Sequence, residues 1–338
     1  MIEHKKNVLL TGASGTVGFE VLQQLLDKNI YNVTVFDIEN KRTKKKFSLL
    51  KGGFELVYGD ISNISDVEKV TKNKDAVIHL AAIIPPFADE NPLLAHKINV
   101  GGTQNLIKSL EKNSPNAFLL YSSSISVYGD RLLTPDITIH DALQPSEGDE
   151  YAKTKIETEK LIQDSKLNWS IFRLAAIMGN HKISKIMFHM PLETRVEICT
   201  PEDTARAFVN GIEKQEALNK QIFNLGGGEN CRLSYRELLQ KSFEIFGLGA
   251  FNFPEKAFAE KNFHCGNYVD GDALDAILHF RQNDLQDYFA KVEKGVNPVV
   301  KGLTKMANPI VKRKLLSISE PYNAFQKKDK AMMQHFFN

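Results

Sequence analysis

The chain has 338 residues, of which 42% are hydrophobic and 25% are charged, and its formal net charge is +2. This is the composition of an ordinary globular protein, and a net charge so close to zero gives no support for nucleic-acid binding. The charge is unevenly distributed, because residues 291–338 contain ten Lys or Arg and three Asp or Glu. This tail therefore carries +7, and the other residues together carry −5.

Three widely separated cysteines, Cys199, Cys231 and Cys265, argue against a disulfide framework or a zinc site and favour a reducing compartment. The first residues lead directly into a strand pattern and leave no room for a signal peptide. No uninterrupted apolar run approaches the ~18 residues that a membrane-spanning helix needs. We therefore expect a cytoplasmic protein without a metal site or a transmembrane segment.

Short, nearly continuous apolar runs bounded by turn residues predict strands that are buried on both faces. They lie at 7–13, 33–38, 54–61, 76–82, 117–124, 170–177 and 221–227. Helical patterns alternate with them, at 15–28, 92–112, 150–165, 201–214 and 234–246. This alternation predicts an α/β fold, a doubly wound parallel Rossmann sheet of about seven strands.

The pattern changes after about residue 227, where the chain becomes mostly helical. We therefore predict a dinucleotide-binding Rossmann domain formed by residues 1–177 and 199–227. A smaller, mostly helical substrate-binding lobe is predicted for residues 178–198 and 228–290, followed by a basic C-terminal extension at 291–338.

The stretch LLTGASGTVG (9–18) places three glycines between a predicted strand and a predicted helix. In dinucleotide-binding loops, one such glycine permits a tight turn, one lets the backbone approach a pyrophosphate, and one lets the helix pack close to the sheet. The helix N-terminus adds free N–H groups and a partial positive charge. Gly12, Gly15 and Gly18 therefore predict a dinucleotide site.

An acidic residue, Asp37, ends the second predicted strand, nineteen residues after Gly18. A carboxylate there can accept hydrogen bonds from the adenosine ribose hydroxyls and repels a 2′-phosphate, which favours NAD over NADP. The basic run KRTKKK (41–46) opposes this interpretation, because it could meet a 2′-phosphate if it folds back. Such a run is more often a solvated loop. NAD is the predicted cofactor, and NADP stays open.

A third motif combines the serines that end the strand AFLLYSSS (117–124) with a tyrosine and a lysine in the predicted helix 150–165. Tyr151 and Lys155 are four residues apart and therefore lie on one helix face, whereas Lys153 points away. A neighbouring ammonium favours the phenolate and lowers the pKa of a tyrosine. Such a tyrosine could exchange a proton with a substrate while a nicotinamide carries the hydride. Serine hydroxyls at the strand end could hydrogen-bond to a substrate carbonyl.

In these motifs the chain resembles the extended short-chain dehydrogenases/reductases, the branch that includes nucleotide-sugar epimerases and many sugar and alcohol dehydrogenases. The resemblance spans roughly residues 7–290 and rests on eight segments in the family's order. They are TGASGTVG (11–18), GDISN (59–63), HLAA (79–82), INVGGTQNL (98–106), YSSSISVYG (121–129), YAKTK (151–155), TPEDTARAF (200–208) and NLGGGE (224–229).

The resemblance implies a role for each matching residue. Tyr151 would be the general acid/base, Lys155 would hold the nicotinamide ribose and tune Tyr151, and Ser124 would polarise the reacting C–O group. Asn99 would lie near the nicotinamide. The remaining cofactor contacts would come from the backbone of Thr16 and Val17 at the pyrophosphate, from Asp60 and Ile61 at the adenine, and from Leu80, Ala81, Ala82 and Ser122.

Several other polar or glycine-rich features have simpler interpretations. His79 is expected to be a packed strand histidine. Asp149 and Glu150 are expected to be helix-start residues. Glu202 and Asp203 are expected to be helix-start acids after an N-cap at Thr200. The glycines at 226–228 are expected to form a turn rather than a second nucleotide site.

Two departures from the family's pattern restrict which of the family's reactions this chain is expected to catalyse. The family's 4,6-dehydratases carry an Asp-Glu pair directly after the residue matching Ser124, where this chain has Ile125 and Ser126. Only about twenty residues separate Gly179 from Thr200, which leaves little protein to grip a nucleotide. The favoured function is an NAD-dependent oxidoreductase for a compact sugar, sugar acid or apolar hydroxy compound. The alternatives are a sugar epimerase using the same residues and a non-catalytic NAD(P)-sensing regulator.

Apolar residues in the tail follow helical spacing, with lysines between them: Val296, Val299, Val300, Leu303, Met306, Ala307 and Ile310. The favoured interpretation is a helix docked on the second lobe. The alternative is a basic amphipathic segment that touches a membrane surface or a partner. By resemblance we also expect a homodimer, together with a small-molecule substrate and no nucleic-acid partner.

Overall fold

A parallel sheet of seven strands forms the centre of the fold. The computed structural model describes residues 5–50, 52–179 and 185–337. Its strands are β1 (Lys6–Thr11), β2 (Tyr31–Asp37), β3 (Phe54–Tyr58), β4 (Ala76–His79), β5 (Phe118–Ser124), β6 (Asp136–Ile137), β7 (Asn168–Leu174), β8 (Ala176–Ile177), β9 (Arg195–Cys199), β10 (Gln221–Leu225), β11 (Arg232–Ser234) and β12 (Asn267–Tyr268). The main sheet has the order β10-β7-β5-β4-β1-β2-β3, and every neighbouring pair is parallel. The predicted doubly wound sheet is therefore confirmed.

Helices pack against this sheet and form most of the C-terminal part of the chain. They are α1 (Thr16–Lys28), α2 (Lys41–Phe47), α3 (Ile64–Val70), α4 (Phe87–Glu90), α5 (Pro92–Ala95), α6 (Gly102–Asn113), α7 (Glu150–Gln163), α8 (Pro201–Gly211), α9 (Gln215–Leu218), α10 (Tyr235–Phe246), α11 (Asp272–Leu278), α12 (Leu285–Gly295), α13 (Pro298–Met306), α14 (Asn308–Ser317), α15 (Glu320–Lys327) and α16 (Lys330–Phe336). The strand order reverses between β1 and β4, and open α/β sheets bind ligands beyond the carboxyl ends of the strands at such a point.

Side chains that alternate along the strands fill a hydrophobic core on each side of the sheet. Val8 and Leu10 of β1 belong to one core and Leu9 to the other, and all three are fully buried. This alternation follows from the two-residue period of a strand. Because both faces are buried, the strand sequences are nearly continuous in apolar residues.

A third hydrophobic core lies outside the main sheet, around Phe188, Phe243 and Phe258. It includes apolar residues of a small sheet of order β11-β9-β8. The predicted strand 170–177 is wrong at its end, because β7 stops at Leu174 and β8 pairs with β9 in the small sheet. Since the small sheet combines segments from both predicted domains, the predicted domain boundaries remain a proposal.

The C-terminal extension folds as helices, some of which bury apolar residues against the rest of the chain, whereas one does not. Leu315, Ala324 and Phe336 are buried, so α14, α15 and α16 dock on the rest of the chain. For α13 the predicted docking of the apolar face is wrong, because this helix buries none of its residues.

Within the described residues, no helix has the length and apolarity required to cross a bilayer. The same part of the chain contains no group of three or more His, Cys, Asp or Glu side chains that could hold a metal ion. All three cysteines are buried and free.

Candidate active site

The loop between β1 and α1 requires glycine at two positions. Gly12 has a φ of +72°, and a Cβ atom there would lie 2.6 Å from the backbone that follows β4. A Cβ atom on Gly18 would overlap the Gly12 carbonyl, so the first turn of α1 packs directly on the loop. Gly15 is the N-cap of α1, and no side chain caps the helix. The backbone N–H groups of Thr16 and Val17 therefore fit the phosphates of a dinucleotide.

Asp37 lies at the carboxyl end of β2, where its buried carboxylate is held beside the glycine loop. Oδ2 accepts a hydrogen bond from the Ser14 N–H at 2.7 Å. Oδ1 accepts from the Ser14 hydroxyl at 3.1 Å and from the Ile38 N–H at 2.8 Å. A carboxylate offers about four lone-pair sites, so capacity for ribose hydroxyls remains. The fixed negative charge suits the predicted discrimination against a 2′-phosphate.

The basic run after Asp37 forms α2, so the predicted loop is wrong, although most of its basic side chains are exposed as predicted. Asn40 starts this helix with a capping box. Lys46 reaches back to the glycine loop, where its ammonium donates to the carbonyls of Ser14 (2.9 Å) and Gly15 (3.0 Å). The run therefore does fold back, as an NADP site would require. However, the Lys46 ammonium is already hydrogen-bonded to two carbonyl oxygens, so fewer of its N–H groups are free to bind a 2′-phosphate.

Removing the charge of Asp37 is expected to lower the preference for NAD over NADP by about tenfold or more, because a 2′-phosphate would no longer meet a carboxylate. The ratio of the two dissociation constants for Asp37→Ala measures this effect. Asp37→Asn is the matched variant, because it keeps an acceptor for the Ser14 N–H while removing the charge. A ratio that stays at the wild-type value in both variants contradicts the assignment.

The loop that follows β4 is tied to the end of β1 beside the glycine loop. The Leu80 N–H donates to the Thr11 carbonyl, and the Ala81 N–H donates to the Thr11 hydroxyl, both at 3.3 Å. These bonds hold the predicted cofactor-lining residues against Gly12. Of the other predicted contacts, Ile61 is buried, Ala82 is partly exposed and Asp60 is exposed.

The three serines at the end of β5 have different partners. Ser122 is buried. Ser123 donates a hydrogen bond to the Glu159 carboxylate at 2.5 Å. Ser124, the last residue of the strand, lies near enough to the Tyr151 side chain to lower the pKa of the phenol. Ser124 is therefore the serine beside the predicted acid/base, and its role of polarising the reacting C–O group stays a prediction.

Lys155 lies one turn after Tyr151 on α7 and is 2% exposed. Its ammonium donates to the Ser122 carbonyl at 2.6 Å and lies 4.6 Å from the centre of the Tyr121 ring and 5.5 Å from that of Tyr151. Burial lowers the pKa of Lys155 to about 7, and the Glu159 carboxylate partly opposes this. The side chain can therefore exchange between the ammonium and the neutral amine near neutral pH.

The pKa of Tyr151 is raised, so the predicted lowering by a neighbouring ammonium is wrong for this structure. Burial is the largest cause, the nearby Ser124 hydroxyl opposes it, and the carboxylates of Asp149 and Asp89 raise the pKa further. The spacing of Tyr151 and Lys155 revealed the cation but neither the burial nor the two acids. At neutral pH Tyr151 is a protonated phenol, which is the form that donates a proton to a substrate oxygen.

Asn99 lies in a π-helix, His96–Gly101, an element that occurs frequently at functional sites. Its side-chain amide donates to the Ile83 carbonyl and the Thr154 hydroxyl, both at 3.0 Å. Its oxygen accepts from the Ile83 N–H at 2.8 Å. Asn99 therefore joins the loop after β4 to α7, one residue before Lys155, and this contact supports a positioning role.

A buried ion pair behind Lys155 is absent from the sequence-based prediction. Glu159, one turn after Lys155, accepts hydrogen bonds from Arg173 Nε at 3.0 Å and from Arg173 Nη2 at 2.7 Å. Arg173 also donates to the Tyr128 hydroxyl at 2.7 Å. The spacing of Lys155 and Glu159 on one helix face was the available signal, but the arginine comes from β7 and could not be paired by spacing.

Two carboxylates and a histidine surround the first turn of α7. Asp149 Oδ1 accepts from the Ala152 N–H at 2.7 Å, and Oδ2 lies 2.8 Å from His264 Nδ1. Asp89 accepts from the Tyr151 N–H at 3.1 Å, and burial raises the pKa of Asp89. The predicted helix-start role of Asp149 is confirmed. Asp89 and His264 carried no sequence signal, since both lie in segments without a recognised motif.

The simpler interpretations of three other features also agree with the structure. His79 is buried, with its ring nitrogens 2.7 and 2.9 Å from two threonine hydroxyls, and burial lowers its pKa to about 3. Thr200 caps α8 by accepting from the Asp203 N–H at 3.1 Å. The glycines at 226–228 lie in the loop that follows β10.

Lys155→Met is expected to make the free protein more stable at neutral and acidic pH while abolishing its activity. Unfolded lysine keeps its proton up to about pH 10.4, but folded Lys155 loses it above a pKa of about 7. Between these values the unfolded state binds more protons, so wild-type stability rises with pH and the advantage of the variant shrinks. Denaturant unfolding at several pH values measures this, with the exposed Lys153→Met as control. Parallel pH profiles for wild type and Lys155→Met contradict the expectation.

The NAD dependent epimerase/dehydratase family matches residues 8–226 of this sequence. The chain belongs to this family. The matched region contains the glycine loop, Asp37, the serines of β5 and the helix α7. The predicted membership of the extended short-chain dehydrogenase/reductase enzymes is thereby confirmed, and NAD is the cofactor that the family's description names.

Relatives within the family differ in the reaction they catalyse. The chain is similar to UDP-glucose 4-epimerase of Pisum sativum, with 30% identity over 204 residues, 55% of this chain and 56% of the pea enzyme. It is also similar to D-erythronate dehydrogenase of Cupriavidus necator, with 24% identity over 252 residues, 65% of this chain and 77% of that enzyme. The chain thus spans about half the length of the first relative and about three quarters of the second.

Solved structures support the fold. UDP-glucuronic acid 4-epimerase from Bacillus cereus, at 21% identity, matches with a TM-score of 0.71 over 88% of this chain and 99% of that chain. The shared architecture therefore extends beyond the region matched by the family into the second lobe.

Proposed function

We propose that this chain is an NAD-dependent oxidoreductase that interconverts an alcohol and a carbonyl on a compact substrate. The observation that carries the proposal is the buried ammonium of Lys155, which lies 5.5 Å from the centre of the Tyr151 ring on the same face of α7, with Ser124 beside the Tyr151 side chain. A hydroxyl, a phenol and an ammonium at the carboxyl edge of the sheet form a set suited to proton transfer beside a hydride carrier.

A series of contacts connects these groups to the glycine loop. Lys155 binds the Ser122 carbonyl, and the Ser122 hydroxyl donates to the His79 carbonyl at 3.4 Å. The His79 ring is hydrogen-bonded to Thr11, the last residue of β1. These contacts join the proton-transfer groups to the end of β1, beside the glycine loop. This proximity supports the proposal that the proton-transfer groups and the bound cofactor act on the same substrate.

Each side chain has one task in the proposed reaction. Bound NAD would supply the carbon that accepts or returns the hydride. Tyr151 exchanges a proton with the substrate oxygen, and Ser124 hydrogen-bonds to that oxygen and fixes its position. Lys155 can pass a proton onward near neutral pH. In the direction of alcohol oxidation Tyr151 must first lose its proton, so its raised pKa implies a rate that increases with pH.

Elimination of water is a poor fit to this site. Ile125 and Ser126, at the positions of the Asp-Glu pair of the family's dehydratases, are buried in the short helix after β5 and carry no charge. A compact substrate is supported by the short segment from Gly179 to Thr200, although residues 180–184 lie outside the described residues. The expected homodimer likewise remains a proposal.

A sugar epimerase is the second candidate, and the similarity to the pea UDP-glucose 4-epimerase favours it. It would use the same Ser124, Tyr151 and Lys155. A non-catalytic NAD(P)-sensing regulator fits less well, because it has no use for the Tyr151 phenol and the buried Lys155.

The stoichiometry of NADH formation distinguishes the two enzyme candidates. The full chain is incubated with NAD and a panel of sugars, sugar acids and apolar hydroxy compounds, and NADH absorbance is compared with product formed. An oxidoreductase accumulates one NADH for each product molecule over many turnovers. Conversion of a sugar into its epimer without NADH beyond one equivalent per chain would overturn the proposal.

A further inference from the structure

The helix α13 and the start of α14 present an apolar surface away from the protein. The exposed fractions are 70% for Val299, 56% for Val300, 61% for Leu303, 84% for Met306 and 73% for Ile310. At 100° per residue, the four residues of α13 lie within an arc of about 120° on one side of the helix. We call these five side chains the apolar face.

The orientation of α13 is the reverse of that expected for a helix that serves its own core. The helix contacts the end of α10 through the Lys301 backbone, where a Cβ atom on Gly247 would lie 2.6 Å from the Lys301 carbonyl oxygen. The Lys301 ammonium pairs with Glu293 at 3.1 Å. A surface helix normally turns its apolar stripe toward the protein core. An apolar face that points outward therefore indicates a surface that binds a ligand or a partner.

The segment that carries the apolar face is firmly attached to the lobe. On α14, Leu315 is buried in the core of the lobe, and Val311 packs against that core. The Lys312 ammonium donates to the Ala250 carbonyl and to Asn252 Oδ1, both at 2.6 Å. The apolar face is therefore presented by an anchored element and is available without rearrangement of the lobe.

The segment that carries the apolar face contains basic residues and no acidic residue, although Lys301 is paired with Glu293 of α12. Residues 298–317 contain five Lys or Arg and no Asp or Glu. Lys305, Arg313 and Lys314 are exposed. Aliphatic side chains surrounded by cations are the pattern of a helix that lies in the interface of an anionic bilayer, where the apolar side enters the acyl boundary and the cations meet lipid phosphates and carboxylates.

We propose that the apolar face docks on the surface of a membrane rich in anionic lipids. A second copy of the chain fits the apolar face less well, because a two-fold interface places the same patch on both partners and would bring the exposed Lys305, Arg313 and Lys314 of one copy toward those of the other. A specific protein partner is also weaker, because the apolar face lacks the Trp, Tyr and Arg residues that dominate protein interfaces.

Vesicle sedimentation with the full chain tests this proposal. We expect binding to phosphatidylcholine vesicles that contain about 30% phosphatidylserine, little binding to phosphatidylcholine alone, and weakening by added salt. The double variant Leu303→Gln/Met306→Gln should bind at least about tenfold more weakly. Its matched control is Leu93→Gln/Leu133→Gln, which changes two leucines that are 87% and 93% exposed elsewhere and should bind like wild type.

A second pair of variants tests how much the basic side chains contribute to vesicle binding. Lys305→Gln/Arg313→Gln should weaken binding several-fold, whereas Lys72→Gln/Lys108→Gln, with the same loss of net charge elsewhere, should not. No binding of wild type to the anionic vesicles, or equal losses in test and control variants, overturns the proposal. Self-association that is lost in Leu303→Gln/Met306→Gln, with no vesicle binding by wild type, would assign the face to a second copy instead.

Discussion

Tyr151→Phe is expected to lower kcat by a factor between about 10² and 10⁴, with a much smaller effect on NAD binding. Phenylalanine keeps the ring that packs near the Lys155 ammonium but removes the hydroxyl that is proposed to exchange a proton with the substrate. The loss corresponds to the contribution of a positioned general acid/base, and the hydride carrier is untouched.

The measurement is a comparison of kcat for wild type and variant on the same substrate, together with NAD titration of both proteins. Tyr322→Phe, in the C-terminal tail, is the matched control and should retain wild-type kcat. Ser124→Ala should also lower kcat, because the hydroxyl that is proposed to hydrogen-bond to the substrate oxygen is removed. Unchanged turnover in Tyr151→Phe would remove the proposed acid/base from the mechanism.

Arg173→Leu is expected to lower the free energy of unfolding by about 3–5 kcal/mol. Arg173 and Glu159 are almost completely buried and are joined by hydrogen bonds of 2.7 and 3.0 Å. Removing the arginine leaves the Glu159 carboxylate buried without its main counter-charge, and the Tyr128 hydroxyl loses a donor. Because Glu159 lies one turn after Lys155, the change should also disturb the active site.

Denaturant unfolding at neutral pH measures this loss, with two comparisons. The exposed pair Arg236–Glu193, at 2.7 Å, supplies the matched control, and Arg236→Leu should change stability by less than about 0.5 kcal/mol. The double variant Arg173→Leu/Glu159→Leu should recover part of the loss, since no charge is then left unpaired. Equal stability of Arg173→Leu and Arg236→Leu would show that the buried pair does not have the proposed importance.

The sequence predicted the architecture well because the signals of a parallel sheet are local. Each of the seven strands is a nearly continuous apolar run, and the glycine loop lies directly between a strand and a helix. The Tyr151–Lys155 spacing is likewise a local signal, because four residues make about one turn of a helix. These features depend on residues that are close in sequence, so the sequence pattern corresponds directly to the strand, loop or helix in the folded protein.

The missed features depend on contacts between distant segments. Arg173 of β7 could not be assigned to Glu159 from spacing, and the burial that lowers the pKa of Lys155 is set by the whole fold. The apolar periodicity near Leu303 identified a helix face correctly, but periodicity does not say what the face meets. The run at 41–46 became a helix because Asn40 caps it, an effect that its charge alone did not reveal.

Calorimetric titration of the full chain with NAD and with NADP tests most directly the central claim that the glycine loop and Asp37 hold NAD. The expected result is one NAD bound per chain, with a dissociation constant at least about tenfold lower than that for NADP. Tighter binding of NADP, or no binding of NAD at millimolar concentration, would contradict the account.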